Sequence, residues 1–206
     1  MLTGRKIGLI AMITPVWFLT VYLVMSSRRP EYSHLTKAIS ELGSLDAPNL
    51  WVWNILGYIL PGLAVALLGI GLKRELSGLG KRSVVPTMAL TASGLFMAFS
   101  GIFPGDFVNR SSLTMILHTI GSLGSFVIFL IAGFGLPPVF RSWPSWHWVA
   151  WPSLVLVIAS IVTGFLRTGQ APGLGQRLGF ACFFLWIGLV GFALYRANNR
   201  TDATSS

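Results

Sequence analysis

Residues 113–140, LTMILHTIGSLGSFVIFLIAGFGLPPVF, contain no Asp, Glu, Lys or Arg. A helix of about 20 apolar residues can cross the roughly 30 Å hydrocarbon core of a bilayer, and this stretch is longer than that. Its apolar residues do not alternate with polar ones, as the strands of a membrane β-barrel would require. The stretch therefore predicts a membrane-spanning helix.

The rest of the chain repeats this pattern. Five more apolar runs occur, at residues 7–25, 51–72, 84–103, 149–166 and 178–195. Only 10% of the 206 residues are charged, whereas soluble domains carry about 25%. We therefore predict an all-α, polytopic membrane protein. Its six transmembrane helices form one bundle within residues 1–200, followed by a short polar tail at 201–206.

The net charge of +9 does not indicate a nucleic-acid-binding protein. The basic residues are scattered through the connectors and the termini, and no run of them forms a phosphate-binding face. Membrane lipids are the expected partners, and association with a second copy or with other membrane subunits stays open. The single cysteine, Cys182, excludes an intrachain disulfide.

The distribution of Lys and Arg predicts the orientation of the bundle. Six spans place both termini on one side, and nine of the 15 basic residues fall on that side. Because cytoplasmic loops are enriched in Lys and Arg, we predict cytoplasmic termini in a multi-pass protein of the cell membrane. The connector at 26–50 is then external.

This first connector contains AISELGSLDAPN, residues 38–49, with two of the six acidic residues. We predict a short amphipathic helix over 33–42, with Ser33 as its N-cap and Gly43 in a left-handed position after its end. Asp46 or Asn49 would cap the second span. One face of the short helix would carry His34, Lys37, Ala38 and Glu41, and the other Leu35, Ile39 and Leu42.

The fourth span carries a polar stripe of Thr114, His118, Gly121 and Ser125. An ionisable residue within a span is costly, usually faces the bundle interior and is functional by default. We expect His118 to meet Asp106 and Glu41 in one polar cluster, where a carboxylate would fix the imidazole tautomer. Ser40, together with His118 and Asp106, is a formal candidate for a Ser–His–acid catalytic triad. Two structural alternatives stay open: Glu41 pairs with Lys37, and His118 only bonds across a close helix contact.

Further candidates for ligand binding lie in the external connectors. Arg110 or Arg177 would hold a phosphate. Gln170, Gln176 and Arg177 are possible ligands at the rim, and His34 is a further candidate for ligand binding. His34, Glu41, Asp106 and His118 are chemically suited to zinc, but their spacing matches no metal motif. We therefore expect no metal and no cofactor.

Three stretches together resemble a known family: ISELGSLDAPNLWVWNILGYILPGL, GIFPGDFVN and LHTIGSLGSFVIF. They look like the bacterial membrane family called domain of unknown function 998, and are more distantly similar to the DRAM autophagy modulators and the membrane proteins of GPI-anchor remodelling. The resemblance covers roughly residues 35–195 and implies a bacterial plasma membrane, without a defined reaction. The patterned positions are Ser40, Glu41, Gly43, Pro48, Phe103, Pro104, His118 and Gly121.

Two functional hypotheses follow. In the first, a polar, outward-facing pocket binds or handles a lipid or small amphiphile, with catalysis left undecided. In the second, the protein is a non-enzymatic structural or accessory membrane subunit whose polar cluster only locks the helices together. A water-accessible cavity lined by the polar residues favours the first, and a dry bundle with every polar group paired favours the second.

Overall fold

A computed structural model describes residues 2–166 and 171–204. Six helices in it are long and apolar enough to cross a membrane, which confirms the predicted all-α, polytopic membrane architecture. They are α1 (Gly4–Ser27), α2 (Leu50–Glu75), α3 (Lys81–Ile102), α4 (Leu113–Arg141), α5 (His147–Phe165) and α6 (Pro172–Thr204).

Most of the helices extend beyond the predicted runs, although α3 and α5 each end one residue earlier than predicted. The Thr3 side chain accepts the Lys6 N–H and Ser112 accepts that of Met115, so α1 and α4 each begin at a hydrogen-bonded N-cap. Helix α6 begins at Pro172, a residue favoured in the first helical turn because it has no N–H to leave unpaired. Its backbone stays helical through Thr204, into the predicted tail.

The six helices form a closed ring. Each packs on its neighbours in sequence, and α1 also packs extensively on α6. Near the termini, Asn198 of α6 donates a 3.0 Å hydrogen bond to Glu75 of α2. The opposite end carries residues 28–49 and is called the first-loop end below. The core is apolar and aromatic, with Trp53, Leu68, Phe129, Trp186 and Leu194 fully buried.

Close approach of α2 and α3 depends on two glycines. A Cβ at Gly94 would lie 2.3 Å from the Ala66 nitrogen, and a Cβ at Gly62 would lie 2.6 Å from the Ala98 nitrogen. Small residues let transmembrane backbones approach closely enough for dispersion forces to hold them, since the lipid offers no hydrophobic driving force between helices.

Helix α2 contains a π-helical segment, Asn54–Ile59. Pro61 follows it, and a helical proline lacks an N–H and clashes with the carbonyl of the residue four positions earlier. Widening the preceding turn relieves this clash. The indole N–H of Trp17 donates to the Leu56 carbonyl at 2.9 Å, which pairs one acceptor of the widened segment. The segment also carries Tyr58, which is buried and borders the site described below.

The first connector differs from its prediction. Instead of an α-helix over 33–42, a turn around 34–36 leads into a short 3₁₀-helix, Ile39–Gly43. Ser33 does accept the N–H groups of Leu35 and Thr36, as an N-cap would. An α-helix does not continue because the backbone groups it would need are bonded to α6 instead. Ile39 and Leu42 are buried as predicted, whereas Leu35 is exposed.

Two predictions about glycine and capping also need correction. Gly43 does not have a positive φ; its hydrogen side chain is needed because a Cβ would lie 2.4 Å from Asn54 Oδ1. Asn49 occupies the N-cap position of α2 without a side-chain hydrogen bond. Asp46 instead accepts a 2.5 Å hydrogen bond from Ser44 Oγ.

Candidate functional site

The first connector is docked on the start of α6. The Leu35 carbonyl accepts the N–H groups of Gly173 at 2.7 Å and Leu174 at 3.3 Å. The first N–H groups of a helix have no partner within it, so these two bonds complete the helix end. The Ile39 N–H donates to Gln176 Oε1 at 2.6 Å. Residues 33–43, called the docked loop below, therefore cover the first-loop end of α6.

Arg177 clamps the docked loop to two helices. Its Nε donates to the Tyr22 hydroxyl of α1 at 2.6 Å, and its terminal nitrogens donate to the Lys37 carbonyl at 2.9 Å and the Tyr32 hydroxyl at 2.6 Å. The guanidinium also lies over both tyrosine rings. His34 Nδ1 is hydrogen-bonded to the Tyr22 hydroxyl. Arg177 and His34 thus bind protein groups at this site.

Burial raises the pKa of the Tyr32 hydroxyl above its ordinary value, although the adjacent Arg177 guanidinium partly opposes the shift. The hydroxyl donates to the Ala38 carbonyl at 3.0 Å, so its protonated form holds the docked loop. In the same connector, the hydrogen bond from Ser44 lowers the pKa of the Asp46 carboxyl.

Glu41 has a local structural role in the docked loop. One carboxylate oxygen accepts the Ala38 N–H at 2.7 Å, and the other lies 2.9 Å from the Lys37 ammonium. The predicted alternative of a Glu41–Lys37 pair is therefore present. The Glu41 carbonyl accepts from Arg29 at 2.6 Å.

The expected cluster of Glu41, Asp106 and His118 does not form. Asp106 accepts the Asn109 N–H at 2.8 Å and closes a turn between α3 and α4. Within residues 2–166 and 171–204, no hydrogen bond joins Asp106 to His118 or to Glu41. The reason is local: each carboxylate caps backbone N–H groups of its own connector. Arg110 is exposed in the same turn region.

His118 is buried between α3 and α4, one to two turns inside α4. Its Nδ1 lies 2.9 Å from the Ser100 carbonyl and 3.0 Å from the Phe103 carbonyl. Carbonyl oxygens only accept hydrogen bonds, so Nδ1 carries a proton. In the neutral ring Nε2 is then the acceptor, and it has no hydrogen-bond partner among the described residues. The Tyr58 ring packs edge-on against the imidazole, with centroids 5.7 Å apart.

A cavity of about 290 Å³ lies beside His118. It runs between α4 and α6 beneath the docked loop, with α2 and α3 behind it. Its polar lining residues are Ser40, Tyr58, Ser100, His118, Thr119, Ser122, Ser125 and Gln176, and its apolar ones are Met97, Leu123, Phe126, Gly179, Phe180 and Phe183. The volume is near the lower limit of small-molecule pockets, about 300 Å³.

Aromatic packing bounds the cavity toward the middle of the bundle, and exposed lining residues mark its opening on α4. Phe129 packs on Phe183 and Trp186, with ring centroids 4.7 and 5.2 Å apart, and joins α4 to α6 further into the bundle. Nearer the first-loop end, the lining residues Thr119 and Leu123 are exposed on the lipid-facing side of α4. These exposed lining residues place an opening of the cavity on the outer side of α4.

The structure divides the predicted site residues into two groups. Ser40 and His118 line the cavity, whereas Glu41, His34, Arg177, Asp106 and Arg110 do not. Gln170 lies outside the described residues. Across the described ranges, no three His, Cys, Asp or Glu side chains lie close enough together to share a metal ion.

Sequence reasoning missed several cavity residues, including Tyr58, Phe126, Phe180 and Phe183. A usable signal existed for Tyr58, a polar aromatic residue within an apolar span and three residues before Pro61. The phenylalanines carry no such signal because a lipid-facing and a cavity-facing Phe look the same in sequence.

The fold and the site define a polytopic helical membrane protein with a side-opening cavity near one end of its bundle. A family described as "Protein of unknown function (DUF998)" matches residues 12–193, and the chain belongs to this family. No curated protein and no solved structure matches the chain. The more distant similarity to DRAM modulators is therefore not confirmed.

Proposed function

We propose that this protein binds a lipid or small amphiphile in the cavity between α4 and α6. The observation that carries the proposal is the cavity's two-part lining. Most of the polar lining groups, from Ser40, Ser100, His118, Thr119 and Gln176, lie toward the first-loop end, whereas Met97, Phe126, Phe180 and Phe183 lie further along their helices; Ser125 is a polar exception at the deeper level. An amphiphile needs this arrangement, since its headgroup requires hydrogen-bond partners and its chain requires apolar contact.

The side opening matches this ligand class. A volume of about 290 Å³ suits a headgroup and the first part of an acyl chain. The rest of the chain would remain in the bilayer, past the exposed side chains of Thr119 and Leu123. A water-soluble substrate would have no comparable need for a lateral opening.

Charge distribution supports a location and an orientation. The termini end carries Arg5, Lys6, Lys73, Arg74, Lys81, Arg82, Arg141, Arg196 and Arg200. Under the positive-inside rule this end is cytoplasmic. We therefore place the protein in the plasma membrane with the cavity in the outer leaflet.

A matched pair of variants tests ligand binding. Leu123 lines the cavity, whereas Ile120 is similarly exposed on the same helix but does not. Leu123→Trp should fill the opening and at least halve the fraction of protein that carries a co-purified lipid in native mass spectrometry. Ile120→Trp should leave that fraction unchanged. Equal lipid retention in both variants would contradict the proposal.

The alternative role, a non-enzymatic subunit with a structural polar lock, also has support. Glu41 and Arg177 are engaged entirely by backbone, tyrosine and lysine groups of the protein. If Leu123→Trp retains lipid normally while Arg177 variants lose stability, this alternative becomes the better description.

A further inference from the structure

The cavity's lining also narrows the chemical class of its ligand, an inference that rests on the proposed function. None of the described lining residues is Lys, Arg, Asp or Glu. Arg177, which follows the lining residue Gln176 in sequence, uses its guanidinium on Tyr22, Tyr32 and the Lys37 carbonyl. A phosphate against this described lining would therefore be desolvated without a counter-charge from the lining side chains, which is strongly unfavourable.

The same lining offers one distinctive acceptor. His118 is 4% exposed, and its Nδ1 proton is committed to the Ser100 and Phe103 carbonyls. Among the described residues Nε2 has no hydrogen-bond partner, and the ring borders the cavity. A ligand that donates a hydrogen bond to this nitrogen gains an interaction that the described protein groups leave unmade.

We propose that the cavity takes an uncharged amphiphile through a free headgroup hydroxyl, which donates a hydrogen bond to Nε2 of His118. Ser40 Oγ and the Gln176 amide lie in the same polar lining and supply further neutral partners. Esters or ethers of glycerol with one free hydroxyl, long-chain alcohols and sterols share this headgroup chemistry. Anionic phospholipids do not.

Three probes with identical tails separate the headgroup requirements. They are 1,2-dioctanoylglycerol, its O-methyl ether and 1,2-dioctanoyl phosphatidic acid. Titrated into the purified wild-type protein and followed by native mass spectrometry, the free alcohol should bind about three- to tenfold more tightly than the ether, the value of one hydrogen bond. It should also bind more tightly than the phosphate. This comparison needs no variant.

His118→Asn then assigns the acceptor. The asparagine amide can still donate to the two carbonyls, while the acceptor at the Nε2 position is removed. The variant should bind the alcohol and the ether equally, and His147→Asn, at an exposed histidine of the termini end, should keep the wild-type preference.

Two results would overturn the inference while leaving the proposed function intact: tightest binding of the phosphate probe, or an unchanged alcohol preference in His118→Asn. If none of the three probes binds, the proposed function falls with it.

Discussion

At the scale of single residues, the polar groups at the first-loop end are of two kinds: some form hydrogen bonds that fix the local backbone, and others line the cavity. Glu41 and Asp106 each satisfy backbone N–H groups nearby, so their acidity is used for local structure. His118 holds α3 with one nitrogen and leaves the other to the cavity. An ionisable residue in a span was expected to be functional, and the geometry gives His118 both a packing role and an available acceptor.

Tyr32 makes loop docking sensitive to alkaline pH. Its pKa is raised in the folded protein by burial, so folding favours the protonated hydroxyl. That stabilisation is complete below the ordinary tyrosine pKa of about 10 and is lost as the pH rises above it toward the folded value. We expect the thermal-stability difference between wild type and Tyr32→Phe to shrink between pH 9 and 11. Tyr195→Phe, at the other end, is the control; a pH-independent difference for Tyr32→Phe would contradict this account.

At the scale of elements, the docked loop depends on contacts between segments far apart in the chain. The single side chain of Arg177 bonds to α1 at Tyr22, to Tyr32 just before the docked loop and to Lys37 within it. Its planar fork can reach three acceptors in different directions, which a lysine ammonium on a flexible stem does not reproduce.

Arg177→Lys should therefore release the loop without changing the charge. Hydrogen bonds from charged donors contribute about 1.5–3 kcal/mol each, so tryptic cleavage after Lys37 should become at least tenfold faster in detergent micelles. Arg110→Lys replaces an exposed arginine of the same end and should cleave at the wild-type rate. Unchanged cleavage in Arg177→Lys would mean that other contacts hold the loop.

At the scale of the whole molecule, the ring of six helices places the charged connectors at its two ends. The larger number of Lys and Arg residues at the termini end is the basis of the orientation proposed above. Single-cysteine labelling with an impermeant reagent in intact cells measures it, in a Cys182→Ala background. Val108→Cys, at a residue 90% exposed, should react. Ser77→Cys, also exposed but at the termini end, should react only after permeabilisation. The reverse pattern would place the cavity in the inner leaflet.

Structural features that depend on residues close together in the sequence could be predicted, whereas features that depend on contacts between distant residues could not. The span at 113–140 was predictable because backbone groups in hydrocarbon must pair within their own helix. The inward position of His118 followed from its cost in lipid. The loop at 33–43 was misassigned because Ile39 bonds to Gln176 and Lys37 to Arg177, partners about 140 residues away that no local pattern indicates. For the same reason, Phe180 and Phe183, which α6 contributes to the cavity, were missed, although Gln176 was named as a possible ligand.

The packing of α1 on α6 has a consequence for biosynthesis. A Cβ at Gly8 would lie 2.5 Å from the Tyr195 nitrogen, and one at Gly191 would lie 2.6 Å from the Ala11 side chain. The two helices therefore approach each other closely at these glycines. The first span emerges from the ribosome long before the last one exists. Until α6 has been translated, the glycine-bearing face of α1 has no such partner and must be covered by lipid or by an insertion factor. The cavity beneath the docked loop can therefore be assembled only after the final helix has entered the membrane.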